Sequence, residues 1–314
     1  MKEYVVRFFI YIASAVILVA IGIVIGININ ISKIKPSPVH PGYHSWTFPE
    51  SYEGHVIDDN FWNFVHASYV LVGTPPECEF YKIVSEVPRH SYNPENFYIE
   101  DNDNAMYYHL DDGTRASSVA IDVSTYQTYV DWDKVRAAGV DVVMIRVGFR
   151  GYGSGKIVLD NMFEDHAEKA KAAGLRVGVY FFSQALNYEE GVEEAEFALD
   201  AIKDYGIDGP VAIDTEYVDA ADARTVGLGI SARTDGVVGF CEKVKAAGYE
   251  PMIYASRNWF VQCLDMTRLG DYRLWLAHYT NQSDFPYEYM GWQYTDSGEI
   301  DGISGKIDMN VWFE

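Results

Sequence analysis

The tripeptide Ala-Ala-Gly occurs three times, each time at the end of a helical pattern and directly before an apolar run. The three copies end at Gly139, Gly174 and Gly248. Glycine is preferred just after a helix, because the residue there often adopts the left-handed conformation. The three copies therefore mark helix-to-strand junctions, and they indicate that strands and helices alternate from residue 117 onward.

This alternation predicts eight strands in a defined order. Five apolar runs are separated by helical patterns, and three more follow without a long helix between them. Strands that alternate with helices form parallel sheets with right-handed crossovers, and eight strands can close into a barrel. We therefore predict an α/β fold for residues 117–314, an incomplete TIM-like barrel of five βα units followed by three β-strands. The predicted strands are 118–122, 141–147, 176–182, 211–213, 251–254, 274–277, 289–293 and 308–312.

The residues before the barrel fall into three segments. After a short tail, residues 1–7, residues 8–31 form an uncharged, mostly apolar run that is long enough to cross a bilayer. No small-x-small cleavage site ends this run, so we expect one uncleaved transmembrane helix, with cleavage of a signal peptide as the alternative. Residues 32–116 are rich in proline at their start, and their apolar residues show no sustained helical or strand periodicity. This composition predicts a linker or stalk.

The charge and the cysteine content exclude several functional classes. A net charge of −22 argues against a nucleic acid partner, because a phosphate backbone would be repelled. The three cysteines are too few and too scattered for a zinc site, and the histidines of the stalk fit no ligand spacing. We expect neither a metal ion nor a cofactor.

Four acidic residues lie at the ends of predicted barrel strands or just beyond them: Asp122, Asp214, Glu216 and Asp308. Chemistry in such barrels gathers at the carboxyl ends of the strands. Asp214 and Glu216 lie two apart after a short apolar run, so both are expected to point the same way. Crowded carboxylates raise one another's pKa, which keeps one protonated as a general acid. The alternative is that this strand has reached solvent and that Asp214 caps the next turn.

Polar and aromatic side chains are predicted to surround these acids. Aromatic walls around carboxylates are typical of sites that cleave glycosidic bonds. The predicted substrate-binding residues are Arg146, Tyr180, Tyr254, Trp275, Trp292 and Gln293. Asp160, which lies just before a helical pattern, is interpreted as a helix cap.

Short motifs from residue 118 to the C-terminus resemble glycoside hydrolase family 25, the N-acetylmuramidase lysozymes. The motifs are Ile121-Asp-Val-Ser124, Tyr126-Gln127, Asp131-Trp132, Ile145-Arg146, Val179-Tyr-Phe-Phe182, Ile213-Asp-Thr-Glu216, Trp292-Gln293-Tyr294 and Asp308-Met-Asn310. The resemblance implies that Glu216 is the general acid and that Asp214 is its partner acid. It also implies that Asp122 and Asp308 are supporting acids of the catalytic site.

The resemblance implies a peptidoglycan hydrolase that cleaves the β-1,4 bond between N-acetylmuramic acid and N-acetylglucosamine. Acids at alternate positions lie on one side of the sugar, which favours retention of configuration through the substrate's acetamido group. The expected partners are peptidoglycan glycan strands and, through the N-terminal helix, the membrane. The expected location is the cell membrane, single-pass, with the barrel outside. The alternatives are a chitinase or endo-N-acetylglucosaminidase, and a non-catalytic wall-binding protein.

Overall fold

The computed structural model of the protein describes residues 66–74, 77–100 and 105–313. All of them belong to the same compact unit. The predicted tail and transmembrane helix, residues 1–31, lie outside the described residues, as does the first part of the predicted stalk. Within the described ranges, no helix is long and apolar enough to cross a membrane.

A sheet of nine strands forms the centre of the fold. Eight of them are β5 (Ser118–Val123), β6 (Val140–Arg150), β8 (Arg176–Phe182), β9 (Val211–Asp214), β10 (Pro251–Ser256), β11 (Arg273–Ala277), β12 (Gly291–Gly298) and β13 (Ile307–Trp312), and the ninth, β7 (Ile157–Leu159), forms a hairpin with β6. Five helices follow the first five of these eight strands: α1 (Trp132–Ala137), α2 (Phe163–Ala172), α3 (Tyr188–Ile202), α4 (Ile230–Ala246) and α5 (Arg257–Cys263).

The eight strands close into a ring. Their order is β5-β13-β12-β11-β10-β9-β8-β6, and β6 pairs again with β5. This confirms the predicted mixed α/β fold with a barrel-like sheet. The last strand differs from the simple pattern, because β13 runs antiparallel to both β12 and β5. Only a short loop joins β12 to β13, whereas a parallel return needs a crossover of a dozen residues or more.

The Ala-Ala-Gly copies do end helices, as predicted. Gly139, Gly174 and Gly248 follow α1, α2 and α4, with φ angles of 93°, 80° and 89°. Glycine adopts such positive φ angles without the steric cost that a Cβ atom would add.

Two layers of side chains pack on opposite faces of the barrel sheet, because successive strand residues point to opposite faces. On β5, Val119, Ile121 and Val123 belong to the larger apolar core, whereas Ala120 belongs to a small cluster with the interior residues of the other strands. The other members of that interior cluster are Val142, Met144, Ala212, Met252, Trp275 and Trp312.

Residues 83–100 and 105–116 cover the side of the barrel where long helices are lacking. They include the two-stranded sheet of β3 (Phe97–Ile99) and β4 (Met106–Tyr108). The Phe97 ring lies edge-on to Trp292 of β12 at 5.1 Å between centroids. Tyr92 stacks on Phe313, just after β13, at 4.3 Å. This part of the predicted stalk thus packs against β12 and the end of β13. A separate hairpin, β1 (Tyr69–Thr74) with β2 (Glu77–Lys82), precedes it.

Candidate active site

The apolar interior of the barrel becomes polar at the carboxyl ends of the parallel strands. On β5, Asp122 follows Ala120 on the interior face, and on β9 Asp214 follows Ala212 in the same way. Asp308 reaches this end by a different route. Because β13 is antiparallel, its first residues lie beside the last residues of β5, and Asp308 pairs directly with Asp122.

Asp122 and Asp308 form a carboxyl pair joined by a hydrogen bond. Burial and the neighbouring Asp122 carboxylate raise the pKa of Asp308 to about 8. Oδ2 of Asp122 accepts further hydrogen bonds from Gln293 Nε2 and Asn310 Nδ2, both at 2.9 Å. The pair therefore holds a proton at neutral pH, with Asp308 as the donor and Asp122 as the acceptor.

Asp214 and Glu216 form the second pair of acids. The strand ends at Asp214, which is buried, and Glu216 lies just beyond it and is half-buried. Burial, Glu216 and Asp122 all raise the pKa of Asp214, while Arg146 lowers it. Burial, with a smaller contribution from Asp122, raises the pKa of Glu216. The two acids therefore act on each other and on Asp122, so all of these carboxyl groups belong to one site. Oδ1 of Asp214 is buried and has no hydrogen-bond partner within the described part of the chain.

Arg146 is the cation that lowers the pKa of Asp214. Its Nε donates to Oδ2 of Asp160 at 2.7 Å, and Asp160 is 2 % exposed. The Arg146 guanidinium lies 5.4 Å from the centre of the Tyr126 ring. Asp160 also accepts from the backbone N–H of Thr125 and of Met162. It therefore fixes Arg146 as well as the turn before α2. The interpretation of Asp160 as the helix cap is wrong, because Met162 is the N-cap of α2 and no side chain in the described part of the chain caps this helix.

Gln293 connects the aromatic wall to the carboxyl pair. Its Oε1 accepts from the hydroxyl groups of Tyr254 and Tyr279, at 2.8 and 2.9 Å. Its Nε2 donates to Asp122. These bonds fix the orientation of the Gln293 amide, so that its donor side faces the carboxylate.

Trp275 forms the floor beneath these groups. It is 1 % exposed, its Nε1 donates to Asn310 Oδ1 at 2.7 Å, and its ring lies 4.6 Å from that of Tyr254 and 5.8 Å from that of Tyr180. Tyr180 and Tyr254 are thus held against Trp275 from above. The structure places Tyr180 and Tyr254 at the site, whereas Trp275 supports it from below.

The prediction of Trp292 as a substrate-binding residue is wrong. Trp292 is fully buried on the outer face of β12, where it packs against Phe97 and donates to the backbone oxygen of His278. Its neighbour Gln293 points to the interior, because adjacent strand residues point to opposite faces.

Five exposed tyrosines, the rim tyrosines, lie in loops on the side of the barrel where the parallel strands end. Each follows the carboxyl end of a parallel strand, and none was predicted as a site residue. They are Tyr126 and Tyr129 after β5, Tyr152 after β6, Tyr217 after β9 and Tyr279 after β11, with exposed fractions between 48 % and 80 %. Exposed aromatic rings at the mouth of a site offer flat apolar faces with a polar edge.

The sequence reasoning also missed Asn310 as a site residue. It lies two residues after Asp308 on β13, so the strand period could have placed it on the same face. Tyr279 had no such signal, because it lies in the loop beyond β11.

The arrangement is suited to acid–base chemistry. Several carboxyl groups with raised pKa values face one partly enclosed end of the barrel, and such groups can donate protons near neutral pH. Among the residues that the structure describes, no group of three or more His, Cys, Asp or Glu side chains is arranged to hold a metal ion.

Comparisons with known proteins agree with this geometry. The family model described as glycosyl hydrolases family 25 matches residues 121–303. The autolytic lysozyme of Clostridium acetobutylicum is 30 % identical over 195 residues, which cover 62 % of this chain and 55 % of the relative. The chain thus spans about half the length of this curated relative.

Solved structures share the fold. The modular autolysin LytC from Streptococcus pneumoniae is similar with a TM-score of 0.56 and 23 % identity, over 82 % of this chain and 57 % of LytC. LytC in complex with a synthetic peptidoglycan ligand is similar over the same shares, with a TM-score of 0.54 and 22 % identity. At this level of identity the likeness concerns the fold.

Proposed function

The chain belongs to glycosyl hydrolase family 25, whose model covers more than half of it, and from that premise we propose that it hydrolyses peptidoglycan. The bond cleaved is the β-1,4 bond between N-acetylmuramic acid and N-acetylglucosamine. The observation that carries the proposal is the set of four carboxyl groups with raised pKa values at the mouth of the barrel. The autolytic lysozyme among its relatives and the peptidoglycan ligand bound to LytC support the choice of substrate.

Glu216 is the general acid in this proposal. Its raised pKa keeps a proton that it gives to the leaving glycosidic oxygen as the bond from the anomeric carbon breaks. The carbonyl oxygen of the substrate's own 2-acetamido group attacks the anomeric carbon from the other face. Water then displaces that oxygen and gives a proton back to Glu216, so that the product keeps the β configuration.

Asp214 orients the acetamido group during this step. Its buried Oδ1, which lacks a partner within the described ranges, is free to accept a hydrogen bond from the acetamido N–H. Arg146 favours the ionised form of Asp214 against the effect of burial. Asp122 and Asp308 support the two acids as a proton-sharing pair, and the rim tyrosines supply stacking faces for sugars on either side of the cleaved bond.

The test is digestion of purified peptidoglycan followed by mass spectrometry of the new reducing ends. Muramic acid at those ends is expected. Glucosamine at the ends would instead favour a chitinase-like or endo-N-acetylglucosaminidase specificity. Binding to the wall without new reducing ends would indicate a non-catalytic wall-binding protein.

The stereochemistry is tested separately by proton NMR of the first-formed reducing end, read before mutarotation. An initial β product is expected. An initial α product would indicate inversion, with water activated by Asp122 or Asp308.

The proposed location is the outer face of the cell membrane, with residues 8–31 as a single-pass anchor. The length and the uncharged composition of that run support this proposal. Membrane fractionation with protease protection is expected to find the barrel outside and attached. Mature protein in the medium with an N-terminus beyond Ile31 would contradict the anchor.

A further inference from the structure

A second polar pocket lies beside Glu216. Its wall includes Glu216 itself, Thr215, Ser183 and Gln184 from the end of β8, and Arg233 from α4. Thr225 completes the polar part of the wall. We call it the Arg233 pocket. None of its residues except Glu216 takes part in the chemistry proposed above.

Arg233 differs from the other arginines near this end of the barrel. Arg146, Arg150 and Arg224 each form an ion pair with a carboxylate. Within the described residues, Arg233 has no carboxylate partner at ion-pair distance. In the described part of the chain, the one hydrogen bond of its side chain goes from Nη2 to the backbone oxygen of Leu228, at 3.2 Å. In a chain with 46 acidic and only 24 basic residues, a half-buried arginine without a carboxylate partner is unusual.

The Arg233 guanidinium is left with unused donors. Its Nε is buried and has no hydrogen-bond partner in the described part of the chain. A guanidinium carries five N–H donors, and a buried charge without a partner costs free energy. Burial accordingly lowers the pKa of Arg233. An anion that reaches the guanidinium would offset this cost.

The surrounding contacts hold the pocket in shape. The Arg233 guanidinium lies 4.6 Å from the centre of the Trp259 ring, and Trp259 Nε1 donates to Thr215 Oγ1 at 3.1 Å. Across the pocket, Thr225 Oγ1 donates to Gln184 Oε1 at 3.0 Å. Arg233 is therefore connected through Trp259 to Thr215, the residue between Asp214 and Glu216.

We propose that the Arg233 pocket binds a carboxylate that the substrate carries next to the sugar cleaved at Glu216. The proposal rests on the proposed function. A glycan that bears carboxylates can supply this group either from the lactyl ether of its muramic acid or from the peptide attached there. A guanidinium is suited to this ligand, because it offers parallel N–H donors to the two carboxylate oxygens. Neutral glycans lack the group, so the pocket selects for substrates that carry it.

The experiment compares Arg233→Gln with the wild-type chain on three glycans. The first carries peptides, the second is peptide-free with its lactyl carboxylates exposed, and the third has all carboxylates converted to amides. Arg268→Gln is the matched control, since Arg268 also faces α4, through Asp235, but lies outside the pocket.

For Arg233→Gln we expect KM to rise by about 10- to 100-fold on a carboxylate-bearing glycan, the range for a hydrogen bond to a charged group. We expect kcat to change little and the amidated glycan to be cleaved as by the wild type. A rise on the peptide-free glycan identifies the lactyl carboxylate as the ligand. A rise on the peptide-bearing glycan alone identifies the peptide. Equal effects on all three glycans, or none, would overturn the proposal.

A binding measurement separates this proposal from the proposed function. Calorimetry with the same glycans compares Glu216→Gln with the double variant that also carries Arg233→Gln. A loss of affinity limited to carboxylate-bearing glycans supports the pocket even if the wild type cleaves none of them. Equal affinity of the two variants overturns it. Arg233→Lys keeps the positive charge, and partial recovery of affinity is expected if charge rather than folding is the cause.

Discussion

The role of Glu216 rests on its proton. Replacing it with glutamine keeps the size and the polarity of the side chain but removes the acid, so we expect turnover of peptidoglycan to fall by about 10²- to 10⁴-fold. The melting temperature should not fall, because burial raises the pKa of Glu216 and so disfavours its charged form. The control is Glu299→Gln, an exposed glutamate paired with Lys306. Near-normal turnover by a folded Glu216→Gln variant would refute the assignment.

Asp308 gives a prediction about stability and pH. Its pKa is about 8 in the folded chain, compared with 3.8 for an ordinary aspartate such as that of the unfolded chain. The folded chain therefore binds this proton more tightly. The unfolded chain ionises first as the pH rises, and the folded state loses stability between about pH 4 and pH 8. Asparagine cannot ionise and can still donate to Asp122. At pH 4 we expect Asp308→Asn to have the same free energy of unfolding as the wild type. At pH 8 we expect its free energy of unfolding to be higher by at least about 1.4 kcal/mol, the equivalent of one pKa unit.

Denaturant unfolding at both pH values measures this difference. Asp301→Asn, in the exposed loop before β13, is the control and should change stability at neither pH. A variant that gains as much at pH 4 as at pH 8 would show that Asp308 does not hold the shared proton.

At the level of single residues, the strand period explains which predicted residues lie together at this end of the barrel and which do not. Asp122 and Asp214 could be predicted because they end apolar runs. A carboxylate at the end of a buried strand is unusual unless it has a partner or a function. The same period would have placed Trp292 outside the barrel and Asn310 inside, had it been applied to β12 and β13. The unpaired Nε of Arg233 could not be predicted, because it depends on which side chains surround it in space.

At the level of elements, local sequence signals predicted where helices end but not the direction of the last strand. The signal that ends a helix lies within three or four consecutive residues, the last of which is glycine. All three Ala-Ala-Gly copies follow this pattern. The direction of β13 depends on the loop before it and on pairing with β5, more than 180 residues earlier in the chain. Such a contact leaves no local pattern.

The contact between α3 and α4 depends on glycines. A Cβ atom added to Gly191 would lie 1.9 Å from the backbone oxygen of Gly236, closer than atoms can approach. Alanine stabilises an ordinary helix by about 1 kcal/mol relative to glycine. At Gly191 we expect the opposite sign, a loss of about 1–3 kcal/mol, because the two helices must move apart.

Thermal unfolding of Gly191→Ala measures this effect. Ser231→Ala, on the exposed start of α4, is the control and should be near neutral. A Gly191→Ala variant with a raised melting temperature would show that the helices separate without cost.

At the scale of the whole molecule, the barrel is incomplete without the segment before it. Trp292 and Tyr294 of β12, and Phe313 just after β13, would be exposed if residues 83–116 were absent. This covering layer could not be predicted from the sequence, because the segment shows no sustained helical or strand periodicity of its own. Its buried apolar side chains are Val84, Val87, Phe97, Ala105, Met106, Tyr107 and Tyr108.

Removing that segment is therefore expected to unfold the barrel. Full burial of a large apolar side chain stabilises a fold by about 1.5–3 kcal/mol, so loss of this layer is comparable with the roughly 5–15 kcal/mol that holds a typical domain together. We expect a chain of residues 66–314 to be soluble and to melt cooperatively. A chain of residues 117–314, which keeps all four acids, should aggregate or bind hydrophobic dyes. Phe97→Ala in the longer chain should lower stability by about 3–5 kcal/mol, whereas exposed Tyr98→Ala should change it little. If residues 117–314 melted as cooperatively as the longer chain, the covering layer would be dispensable, and the barrel would have to tolerate an exposed wall of aromatic side chains.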